Sequence, residues 1–126
     1  MTLPSFIEEV DEFPHLRIVK LKGQIDHHAV SEGQAILKRS QKDRAVLNKS
    51  VVLDLRKVTR VDTTAIASLI KLLAQLKQKN FKLAIMNAPD AMRDQLEILK
   101  LDKFVAVFDS TVGTMREILE WSEEWD

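Results

Sequence analysis

The segment Val51-Val52-Leu53-Asp54-Leu55-Arg56-Lys57-Val58-Thr59-Arg60-Val61-Asp62-Thr63-Thr64-Ala65-Ile66 decides how this chain must fold. Residues 51–55 are apolar except for Asp54 and stand between polar stretches, as a strand buried inside a sheet does. Beyond the linking residues 56–61, Ile66, Leu69, Ile70, Leu73 and Leu76 recur at i, i+3, i+4, i+7 spacing. That spacing predicts a helix with one buried face. Lys71, Gln75, Lys77 and Lys79 fall on its other side, the last two well placed against the negative end of the helix dipole. A buried strand feeding an amphipathic helix is the building unit of α/β folds.

The same alternation continues outward in both directions. Residues 6–10 read as an edge strand, followed by a turn at Glu12-Phe13-Pro14. Residues 16–22 alternate apolar and polar and stop at Gly23, which predicts a strand with one covered face. A helix is expected over residues 28–41, weakened at Gly33 by about 1 kcal/mol relative to Ala. Downstream, residues 81–86 and 104–108 are short apolar runs of the kind central strands use. Pro89 sits near the first position of a helix carrying Met92, Leu96 and Leu99. Ser110 or Thr111 caps a last helix with Met115, Ile118 and Leu119 on one side. The order is β-β-α-β-α-β-α-β-α, with no internal repeat, over a single domain spanning residues 1–126.

Composition limits what such a domain can do. The chain has 126 residues, 45% apolar and 30% charged, which suits one soluble globular domain that folds without staples. Nineteen basic and nineteen acidic residues give a formal net charge of zero, without the basic excess of a nucleic-acid binder. The run from Lys38 to Arg44 is interrupted by Asp43 and reads as a solvated helix end and loop. The absence of cysteine excludes thiol chemistry, Cys-ligated zinc and disulfides. There is no signal-peptide pattern at the start and no apolar run near the roughly 20 residues of a membrane span. A cytoplasmic location is the expectation.

Two segments hold the candidate functional residues. Asp62 is a good N-cap, which leaves Thr63 and Thr64 partly exposed at the positive end of the helix dipole. Phosphate on Thr63 would add about −1.5 to −2 charges there, a local electrostatic switch with little effect on the fold. Plain capping explains the same residues. The second segment is Gly23-Gln24-Ile25-Asp26-His27-His28, where Asp26 can cap the next helix. Adjacent histidines point apart and chelation needs converging ligands, so a polar loop is favoured over a metal site. Three glycines leave no phosphate loop, and Thr63 as a nucleophile with His27 or His28 as base lacks an oxyanion-hole element. Neither a catalytic site nor a cofactor is expected. Trp121 and Trp125, at i, i+4, either dock on the domain or anchor a partner.

Taken together, these segments resemble the STAS family, the sulphate-transporter and anti-sigma-factor-antagonist domains. The family's Gly-Glu-Leu-Asp, often followed by two His, corresponds to Gly23-Gln24-Ile25-Asp26-His27-His28. Its hydrophobic strand and Asp-Ser-Ser-Gly-Leu correspond to residues 51–55 and Asp62-Thr63-Thr64-Ala65-Ile66. Ala88-Pro89-Asp90-Ala91-Met92, Leu96, Leu99 and Leu101-Asp102-Lys103-Phe104 run parallel to the family's last third. Thr63 stands where many antagonists have Ser, as in stressosome-type relatives, and Ala65 where Gly is usual. Residues 38–50 are longer and more charged than the typical connection.

The resemblance implies an α/β STAS-type fold, a mixed central sheet flanked by about four helices. It further implies an anti-sigma-factor antagonist that binds an anti-sigma factor or serine/threonine-kinase-like partner and is released when Thr63, or less readily Thr64, is phosphorylated. Asp26, His27, His28, Asp62, Thr63, Thr64, Ala65 and Ile66 would form the partner-facing surface. The alternatives are a scaffold that binds a constant partner such as a transporter-associated ATPase, and a small-ligand or nucleotide sensor. No nucleic acid and no membrane insertion are expected, and a weak homodimer is a further expected association. The Asp26 loop and Thr63 should share one end of the sheet.

Overall fold

The computed structural model describes residues 5–26, 28–29, 49–109 and 114–123. Strand β3 (Ser50–Val61) lies at the middle of a five-stranded sheet ordered β1-β2-β3-β4-β5. Its neighbours β2 (Leu16–Ile25) and β4 (Leu83–Met86) run parallel to it, and β5 (Ala106–Phe108) runs parallel to β4 at one edge. Strand β1 (Ile7–Glu12) pairs antiparallel with β2 at the other edge through a hairpin closed by Phe13 N–H to Leu16 O at 2.9 Å. Helices α1 (Thr63–Gln78), α2 (Asp90–Ile98) and α3 (Thr114–Glu123) follow β3, β4 and β5. A 3-10 turn, Leu101–Lys103, precedes β5. The helix expected over residues 28–41 lies outside the described residues except for His28 and Ala29, both helical, which accounts for three described helices against about four expected. The Ser110 or Thr111 cap lies outside them as well.

Strand alternation divides the core into two layers. Val51, Leu55, Leu83, Ile85 and Val105 face Ile66, Leu69 and Leu76 of α1 and Met92 and Leu96 of α2. Leu16, Ile18, Val52, Ala84 and Met86 face the opposite way, toward Ile118 of α3. Each fully buried Leu or Ile contributes roughly 1.5–3 kcal/mol of transfer free energy, so both layers are needed to hold a sheet this small. Trp121 closes the second layer with an edge-to-face contact to Phe108, ring centroids 6.0 Å apart. Lys82 Nζ donates to Trp121 O at 3.1 Å and sits 5.8 Å from its ring. Trp121 therefore docks on the domain, while Trp125 lies outside the described residues.

Several apolar positions expected inside lie outside. Ile70 is 41% exposed, because α1 turns Ala65, Ile66, Leu69 and Leu76 inward and carries Ile70 to the rim. Leu99 is the C-cap of α2 and is exposed. On α3 the buried pair is Thr114 and Ile118, so Met115 and Leu119 form a second, exposed stripe.

Both central strands run further than their apolar runs. β2 passes through Gly23 to Ile25, and β3 continues through residues 56–61 to Val61. Between the pairs Lys20↔Asp54 and Lys22↔Lys57, and again between Gly23↔Val58 and Gln24↔Arg60, β3 holds one residue more than β2. These bulges let the paired strands twist out past the core while staying in register at Ile25↔Val61. Gly23 has φ +72°, a conformation that strains any residue with a side chain.

Candidate functional site

The extended ends of β2 and β3 place the two candidate segments together. The strands are parallel neighbours, and Asp62 N–H donates to Ile25 O at 3.3 Å just where each strand becomes a loop. Asp26 and Thr63 therefore lie at the same end of the sheet, at its C-terminal edge, where open α/β sheets bind their ligands and partners.

On the first loop, Asp26 Oδ1 accepts the N–H of Ala29 at 3.1 Å, the bond of an N-cap. His28 is exposed and helical, and His27 lies outside the described residues. Beside them a cavity of about 340 Å³ is lined by Phe6, Lys22, Gly23, Gln24, Asp26 and His28. Among the described residues no three of His, Cys, Asp or Glu converge on a metal position.

On the second loop, Asp62 is extended at φ −95°, ψ 176°, and caps α1 by accepting Ala65 N–H at 3.1 Å. Thr64 Oγ1 donates to the same carboxylate oxygen at 2.5 Å. Thr63 is exposed, and its hydroxyl makes no hydrogen bond among the described residues. The two adjacent threonines are thus unlike in chemistry. Thr64 has its hydroxyl proton committed to the cap, whereas Thr63 presents its hydroxyl to solvent on the first residue of the helix. Sequence order alone could not make that distinction.

Ala65 and Ile66 are 8% and 7% exposed, because the first turn of α1 brings its apolar face onto the sheet. The outer surface at this end is carried by Asp62, Thr63, Thr64, Arg60 and His28.

One residue with a part in the site's geometry was overlooked in the sequence reading. Asp54 is only 7% exposed, and its Oδ1 accepts Arg56 N–H at 3.0 Å and Asn87 Nδ2 at 3.1 Å. The first bond satisfies a backbone group that the bulge removes from the ladder. The second ties β3 to the turn after β4, where Asn87 has φ +58° and donates its N–H to Phe108 O at 2.9 Å. A charged residue amid Val-Val-Leu-Asp-Leu is the signal that could have found it, because a buried carboxylate needs partners.

Charge near the site is unevenly used. Lys57 pairs with Glu8 at 2.6 Å, while Lys22, Arg56 and Arg60 form no ion pair among the described residues. None of the described helices is long and apolar enough to cross a membrane.

The family model for the STAS domain matches residues 8–114. No curated protein matches by sequence. Among solved structures, the Bacillus cell-fate determinant SpoIIAA in its phosphorylated form is similar at TM-score 0.68 and 17% identity, over 90% of this chain and 96% of that one. The anti-sigma factor antagonist SpoIIAA in its unphosphorylated form is similar at TM-score 0.66 and 14% identity, over 93% and 98%. An anti-sigma factor antagonist from Mycobacterium paratuberculosis is similar at TM-score 0.66 and 18% identity, over 94% and 99%.

Proposed function

The chain belongs to the STAS domain family, and from that premise we propose that it is an antagonist-type binding module switched by phosphorylation at Thr63. The observation that carries the reading is the solvent-facing, uncommitted hydroxyl of Thr63 beside a Thr64 whose hydroxyl is held by Asp62. A kinase needs a hydroxyl it can reach and deprotonate, and Thr63 supplies one without dismantling the cap.

The unphosphorylated surface of Asp62, Thr63, Thr64, His28 and the Asp26 loop binds the partner, an anti-sigma factor or serine/threonine-kinase-like protein. A phosphate adds about −1.5 to −2 charges at the helix N-terminus, where backbone N–H groups favour an anion and the Asp62 carboxylate opposes it. The two effects nearly offset in fold stability. At a docking surface they do not, since the added charge must be desolvated when the partner binds. The module acts by association and dissociation and needs no cofactor. The solved forms of SpoIIAA, one phosphorylated and one unphosphorylated, support the reading by analogy.

The test is phosphosite mapping of the protein from its native host, joined to co-purification with Thr63→Ala and Thr63→Glu. Phosphate on Thr63, with a partner retained by Thr63→Ala and lost by Thr63→Glu, is the expected result. No phosphate under any growth condition, with the partner retained by both variants, would replace the switch by a constant-partner scaffold such as one serving a transporter-associated ATPase.

A further inference from the structure

At the end of the molecule opposite Thr63, large apolar side chains stand in solvent. Ile98 is 70% exposed, Leu99 47% and Phe104 57%. They lie where α2 stops, the chain reverses at Lys100 with φ +57°, and the 3-10 turn leads into edge strand β5. Lys77, near the end of α1, holds its ammonium 4.8 Å from the centre of the Phe104 ring, which joins the ends of α1 and α2 into one patch. Lys79, Lys100 and Lys103 are also exposed there. Within residues 97–104 the acids are Glu97 and Asp102, and none of these four lysines forms an ion pair among the described residues. Cation and apolar surface together mark a place where another molecule sits.

The complementary surface is on the same chain. α3 is fixed to the sheet by Ile118 and Trp121, and it presents Met115 and Leu119 outward, 39% and 37% exposed and one turn apart. Glu120 and Glu123 flank that stripe, with Arg116 between them pairing with Glu120 at 3.4 Å. One surface is apolar with a basic rim, the other apolar with an acidic rim.

We propose that the α3 stripe of one copy docks on the Ile98–Phe104 patch of a second copy. Because the two surfaces differ, the contact is head-to-tail, and each added copy leaves one patch and one stripe unused. Association should be weak, since a few half-exposed side chains bury less than a standard interface. It involves neither Thr63 nor the Asp26 loop and stands apart from the phosphorylation reading.

Sedimentation of the full chain from micromolar to millimolar concentration should show an average mass that rises beyond a dimer. Ile98→Glu and Leu119→Lys each change an exposed position, and circular dichroism checks that both variants stay folded. Either variant alone should associate at least about tenfold more weakly, since each sets like charges against one another. Mixed in equal amounts they should form a one-to-one dimer and stop, because one retains only the stripe and the other only the patch. A wild type that stays monomeric at millimolar concentration overturns the proposal. So does self-association that survives both substitutions, or a mixture that forms no dimer while the wild type assembles.

Discussion

Asp62 does two things with one carboxylate oxygen, capping α1 through Ala65 N–H and holding the Thr64 hydroxyl. Asp62→Ala should therefore cost about 1 kcal/mol of stability in urea unfolding, the usual value of an N-cap. Thr63→Ala, which removes no bond within the domain, should stay within about 0.5 kcal/mol of wild type. A Thr63→Ala loss as large as that of Asp62→Ala would mean the Thr63 hydroxyl is structural after all. The cap was legible in the sequence because an Asp before an amphipathic run has one common use. The asymmetry of the two threonines was not, because it depends on which hydroxyl the helix turns back toward Asp62. Ala65 and Ile66 are turned inward for a related reason: a motif marks a stretch of chain, while helical geometry decides which of its residues stay outside.

At the scale of elements, the order of the described strands and helices followed from hydrophobic period together with turn and cap residues, yet the reach of β2 and β3 did not. Residues 56–61 look like a polar linker, but they pair with β2 as a bulged extension whose outer face is meant for solvent. Local pattern registers burial, and an exposed parallel extension has little of it. Asp54 is what makes the extension stable, since its carboxylate takes the Arg56 N–H that the bulge frees and secures the Asn87 turn. Asp54→Ala should lower stability by about 1–3 kcal/mol, the cost of leaving buried donors without an acceptor. Asp54→Asn keeps one acceptor oxygen and should lose less. Urea unfolding of the pair provides the check, and equal losses would mean that the carboxylate's role is charge and not geometry.

Over the whole molecule, formal charge sums to zero while its placement is ordered. Edge strand β1 is acidic, and its side chains are held by bases on β2, β3 and the segment before β3: Glu8 by Lys57, Glu9 and Asp11 by Lys20, and Glu12 by Arg17 and Lys49. A free edge strand studded with charge resists pairing with other sheets, so the arrangement also protects the monomer from edge-to-edge aggregation. The hydrogen bond from Lys57 holds the Glu8 carboxyl below its usual range, and Arg17, then Lys49, do the same for Glu12. Carboxyls depressed by folding add stability that is fully present above their unfolded value near 4.5 and is lost as pH falls through their folded values. Glu9, followed by Asp11, raises the Lys20 ammonium above 10.5, so its contribution is complete below that value and is lost as pH rises through the folded one. Melting temperature should then be flat across neutral pH, falling below about pH 4.5 and again above about pH 10.5. Because these groups are solvent-exposed, added salt should shrink both limbs. The Glu8→Gln, Glu12→Gln double variant should flatten the acid limb and leave the alkaline one unchanged. If its acid limb matches wild type, the loss of stability comes from carboxylates elsewhere, and the pairing along β1 serves to guard the edge without contributing to acid stability.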